Sequence, residues 1–143
     1  MKAFYPCDVW KPLLGASLLL LGSCAKSDHK PVYPVRGQVF YKGKPTTGAL
    51  IVLHEINALT SQEVRPHSQV DENGDFVLST YAAKDGAPAG DYVVTVDWRQ
   101  LIPGRGGTGP SLLPPQYAMP QQSPLRATIL AESNNLPPFR IDR

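Results

Sequence analysis

Cysteine is scarce: Cys7 and Cys24 are the only two in 143 residues. A disulfide framework is thereby excluded, and a fold of this size must hold by its apolar core. Charged residues make up 18% of the chain, with no Lys/Arg cluster or stripe. The electrostatic footprint of a nucleic-acid binder is therefore missing. There is no Gly-x-Ser-x-Gly nucleophile elbow. The glycine-rich stretch around Arg105 lacks the Gly-Lys-Ser/Thr and following helix of a phosphate loop. No segment carries a helical period, and no apolar run reaches the roughly 20 residues that span a bilayer. Turn-formers are plentiful instead, with 15 prolines and 12 glycines. Hydrophobic content of 42% is enough for a core, so the chain is not a disordered tail. Turns between short β-branched runs predict one all-β domain.

The N-terminus stands apart from that domain. Lys2 and Lys11 give a positive start, and Pro12 to Gly22 is apolar. The run ends in Leu21-Gly-Ser-Cys24, which resembles the lipobox of bacterial lipoproteins. That resemblance implies a signal over 1–23, cut between Ser23 and Cys24, and a lipidated Cys24. Cys7 would leave with the signal, so the mature chain could form no internal disulfide. Several acyl chains would anchor it firmly, at about 0.8 kcal/mol per buried CH₂. Residues 24–34 read as a short polar tether. Without Lys2, Lys11 and Asp8 the formal charge falls from +2 to +1.

From Val35 the chain alternates. Val35, Gly37, Val39 and Tyr41 share one face, and Lys42-Gly-Lys-Pro45 turns. Ala49 to Glu55 is a second strand; Leu50 and Val52 make its other face apolar and call for a cover. Val64 to Val70 is interrupted by Pro66, which calls for an edge or a bulge there. Asp71-Glu-Asn-Gly74 predicts a hairpin turn into Asp75–Thr80. Asp91 to Trp98 is the strongest strand, with Tyr92, Val94, Val96 and Trp98 on one face. Arg99 to Gln116 reads as a long loop, functional or disordered. Leu125–Leu130 and Leu136–Ile141 complete seven strands, the last confined to an edge by Pro137-Pro138. The pattern predicts a β-sandwich.

Several pieces align with one family. They are Val35-Arg-Gly-Gln-Val, Gly48-Ala-Leu-Ile-Val-Leu, Asp71-Glu-Asn-Gly-Asp-Phe-Val-Leu and Asp85-Gly-Ala-Pro-Ala-Gly-Asp-Tyr-Val-Val-Thr-Val. Leu113-Pro-Pro-Gln-Tyr and Ser123-Pro-Leu-Arg-Ala-Thr-Ile follow. In order and spacing they resemble small bacterial lipoproteins with a transthyretin-like (carboxypeptidase regulatory-like) domain, numerous in planctomycete-type bacteria. The resemblance covers residues 35 to 141. It implies a seven-stranded prealbumin-like Greek-key sandwich over 35–143, a cell-envelope location, no catalysis and no known ligand.

Candidate chemistry is thin. Asp71-Glu-Asn-Gly-Asp has its glycine fourth, not sixth as an EF-hand loop requires, so a turn explains it and no metal is called for. His54, Glu55, Glu63 and His67 would form a site only if the fold converged them. Hydroxyisourate hydrolases on the resembled fold use histidines, an arginine and a C-terminal Tyr-Arg-Gly-Ser that this chain lacks. Tyr117, after Pro114-Pro115, and Arg105 are the candidate contact residues. The first reading is thus a non-enzymatic module without cofactor. It is attached to a membrane through Cys24 and contacts envelope proteins or surface polysaccharide. The alternative is a small-ligand or carbohydrate binder using the 101–117 loop. A hydrolase is the third reading.

Overall fold

A computed structural model describes residues 29–57, 63–104 and 106–142. In chain order the strands are β1 (Val32–Tyr33), β2 (Val35–Tyr41), β3 (Lys44–Pro45), β4 (Leu50–Glu55), β5 (His67–Gln69), β6 (Asp75–Val77), β7 (Ala87–Pro88), β8 (Gly90–Asp97), β9 (Arg99–Ile102), β10 (Gly107–Ser111), β11 (Arg126–Ile129), β12 (Asn134–Asn135) and β13 (Phe139–Ile141). One 3₁₀ turn, Pro115–Ala118, interrupts them, and no α-helix forms among the described residues. The expectation of an all-β chain is met.

Two main sheets form. The first has the order β11-β8-β4-β5, antiparallel throughout. Its edge strand β5 follows Pro66, as the missing N–H of proline requires. The second is built around β2, whose two edges are read from its backbone bonds. Val39 N donates to Gly74 O and Val35 O accepts from Leu78 N, which places β6 on one edge; Val39 O accepts from Thr46 N, adding β3 there. Arg36 O accepts from Leu136 N and Lys42 N donates to Ile141 O, which places β12 and β13 on the other, both parallel to β2.

The two sheets share one core. Val35 and Val39 of β2, Ile51 and Leu53 of β4, and Tyr92, Val94 and Val96 of β8 are all buried in a single cluster with Phe76, Ile129 and Ile141. These are the faces that the period of two selects. Each such side chain contributes about 1.5–3 kcal/mol by leaving water. Gly37 sits on the same inward face because the Phe76 ring fills its side-chain position; an added Cβ would lie 2.6 Å from Phe76 Cζ.

Three expectations change. The turn at Asp71 is present: Asp71 Oδ1 accepts from the backbone N–H of Asn73 and Asp75, and Gly74 takes a φ of 88°. The arms of this hairpin diverge, however, meeting again only at a His67–Ser79 bridge while β5 joins the first sheet and β6 the second. Second, the segment read as a tether is structured at its end, where β1 pairs with β7. Third, the segment read as a loop over 99–116 is largely an antiparallel ribbon, β9 with β10, tied at its base by Leu112 N to Trp98 O (2.7 Å).

Candidate functional site

The ribbon leaves β8 at Trp98. The indole Nε1 donates to Thr47 O (2.9 Å), and the ring meets Tyr41 edge-on at 6.3 Å. Trp98 is thus part core and part wall. Leu50, Gln69, Trp98, Gln100, Leu101 and Leu112 line an open cleft at the ribbon's base. Leu101 is 76% exposed, and Leu50, Ile102 and Leu112 are exposed beside it. The apolar outer face of β4 calls for a cover over Leu50; the cleft leaves it open. At the cleft edge Arg99 Nε donates to the Asp97 carboxylate at 2.8 Å. An apolar floor, side-chain amides and a charged rim suit an extended polymer or protein segment rather than a small enclosed ligand.

Tyr117 does not serve as a contact. It is 7% exposed. Pro114 and Pro115 start the 3₁₀ turn, and Tyr117 is the residue that turn buries. With Leu113 it closes the core beside the second half of β8, beyond the last β11 pair at Arg126–Val93. Here Ser123 Oγ donates to Val94 O at 2.5 Å. The apolar pair Leu113 and Tyr117 was the signal for burial, and it was masked by the prolines around it. Arg105, Ser23 and Cys24 lie outside the described residues.

The fold does converge part of the polar set on the outer wall of the first sheet. His54 Nδ1 lies 3.8 Å from Glu63 Oε1, and Arg65 Nη2 donates to Glu63 Oε2 at 2.8 Å. His54 Nε2 is 3.0 Å from Thr95 Oγ1, which is buried and donates to Val52 O. Burial lowers the His54 pKa, and the Arg65 charge lowers it further, against the opposing pull of Glu63. His67 is not part of this group: its Nδ1 donates to Arg65 O and the side chain is exposed. The pairing of Val52 with Thr95 sets His54 and Thr95 on one face, a relation that only strand register shows. No group of three or more His, Cys, Asp or Glu positioned for a metal occurs among the described residues.

At the other end of β4 the N-terminal segment is clipped to the domain. Lys30 Nζ pairs with Glu55 Oε2 at 2.7 Å, and Lys30 N donates to the Tyr81 hydroxyl at 3.1 Å. The His29 ring stacks on Tyr81 at 4.1 Å. The Tyr81 loop is itself fixed by Asp85. Burial pushes the Asp85 carboxyl up, but N–H groups of Thr80, Tyr81 and Ala82 bond it and hold its pKa below the ordinary value. Among the described residues no helix is long and apolar enough to cross a membrane.

No family model matches the chain, and no curated protein matches it significantly. Among solved structures it is similar to a 9R-lipoxygenase from Cyanothece PCC8801, with 10% identity and a TM-score of 0.43. That likeness covers 82% of this chain and 18% of the lipoxygenase chain, and at this level it supports neither a shared fold nor a shared activity.

Proposed function

We propose that this chain is a lipid-anchored, non-enzymatic module of the cell envelope that offers its ribbon cleft to an envelope protein. On this reading a signal over 1–23 is cut before Cys24, and Cys24 carries the lipid. The domain is a transthyretin-like sandwich of seven principal strands. Seven strands of the expected positions support that description: β11, β8, β4 and β5 in one sheet, and β6, β2 and β13 in the other.

The observation that carries the reading is the layout along β4. Lys30, six residues from Cys24 in sequence, holds Glu55 at one end, while the cleft opens at Leu50 at the other. At a rise of about 3.3 Å per residue the two ends lie roughly 17 Å apart. A tether at one end and an open apolar cleft at the other is the layout of a display module. Metabolic labelling with palmitate tests the anchor: the wild-type chain takes up label and Cys24→Ala does not. An unlabelled wild type, or a labelled variant, removes the anchor from this reading.

The cleft also favours a second reading, surface polysaccharide as the partner, because Trp98 stands beside the amides of Gln69 and Gln100. A glycan-array signal lost on Trp98→Ala supports it; a blank array contradicts it.

A further inference from the structure

Resting on the lipid anchor just proposed, we infer that the end of the sandwich formed by Ile56, Tyr81 and Leu130 docks on the phospholipid surface beside the anchor.

The three residues lie at one end of the fold, by the start of β8 and the end of β4. Ile56 N donates to Asp91 O, and Leu130 follows Ile129, which pairs with Gly90 on the opposite side of β8. Tyr81 reaches the same end through Lys30, which bonds both its hydroxyl and Glu55. Leu130 is 53% exposed, and Ile56 and Tyr81 are each 38% exposed. Exposed Lys84 lies in the Tyr81 loop, and Lys30 beside it. Apolar side chains with a tyrosine and exposed lysines form the composition that settles at a lipid interface. Tyrosine keeps its ring in the headgroup layer, and lysine stems bury while their ammonium groups stay wet.

Chain length selects the lipid surface as the occupant. His29 is held on Tyr81 and stands five residues from Cys24. Five residues reach at most about 17 Å when fully extended. A lipid on Cys24 therefore keeps the Tyr81 end close to the bilayer. Bringing the Trp98 cleft to the bilayer instead would demand a tether stretched along the whole of β4, at the entropic cost of ordering every residue in it.

The test uses the full lipidated protein on vesicles of phosphatidylcholine brominated in its acyl chains. After signal removal Trp98 is the sole tryptophan, since Trp10 leaves. We expect Trp98 emission to be spared, and a tryptophan added by Tyr81→Trp to lose its emission to the bromines. Leu130→Trp reports the same end if Tyr81→Trp fails to fold. In protein that floats with the vesicles, quenching of Trp98 or sparing of the added tryptophan overturns the docking and leaves the anchor standing. Protein that fails to float overturns both.

Discussion

The carbonyl of Tyr33 occupies the space that a Cβ on Gly86 would need. Gly86 also has a φ of 101°, which other residues rarely adopt, and its N–H donates to Leu78 O. This contact seats β1 against the strand before β8. It fixes the N-terminal segment to the domain nine residues after Cys24 in sequence. Gly86→Ala is expected to cost about 3 kcal/mol through backbone strain and collision, lowering Tm by roughly 10 °C or more. Gly104→Ala is the control: its φ is 80° but no heavy atom lies within 4 Å of an added Cβ. Strain alone then costs about 1 kcal/mol. Thermal unfolding of the two variants checks the difference.

Tyr92 predicts alkaline sensitivity. Burial pushes its pKa up to about 12 from 10.0, with Glu55 and Tyr81 adding to the rise. The hydroxyl donates to Pro88 O at 2.9 Å. In the unfolded chain the phenol loses its proton from about pH 10, while in the fold it holds on. Stability is therefore full below pH 10 and falls as pH rises toward 12. Tyr92→Phe costs about 1 kcal/mol at neutral pH through the lost bond and flattens this alkaline slope. Urea midpoints at pH 8 and pH 11 measure both effects.

His54 predicts the opposite slope on the acid side. Its folded pKa lies below 6.5, so the fold favours the neutral ring. The unfolded chain takes up the proton first as pH falls through about 6.5. The contribution of His54 to stability is lost in that window, and His54→Gln removes the dependence. Asp85, whose pKa is lowered, adds a separate loss at lower pH, through and below its ordinary 3.8. Midpoints at pH 7.5 and pH 5.5, in wild type and His54→Gln, check the first step.

Leu101 separates binding from folding. Exposed as it is, Leu101→Glu should change stability by no more than about 0.5 kcal/mol. It should also place a charge in the cleft and abolish capture of the envelope partner. Crosslinking in envelope extracts, wild type against variant, reads the loss. Capture that survives the substitution moves the partner away from the cleft.

Sequence periodicity located the strands because one face of each is buried: Ile51 and Leu53, Tyr92 and Val94, Val35 and Val39 all point where a period of two sends them. The Asp71 turn was legible because its side chain bonds its own backbone. Partners at long range were not legible. Nothing local tells β6 to leave β5 for β2, or β13 to run parallel to β2. The ribbon reads as a loop because Gly107–Ser111 is rich in glycine and carries no apolar alternation. The prolines around Tyr117 point to an exposed contact, yet a single 3₁₀ turn is enough to bury it. The cleft at Leu50 and Trp98 needs the ends of β4 and β8 side by side, and pairing of Leu50 with Asp97 supplies that.

The intact mass of the protein extracted from the envelope reads the proposed anchor at Cys24. The expected mass is that of a chain that begins at Cys24 and carries a diacylglyceryl group, with or without a further acyl chain. A chain that still begins at Met1, or that begins elsewhere with an unmodified cysteine, would contradict it.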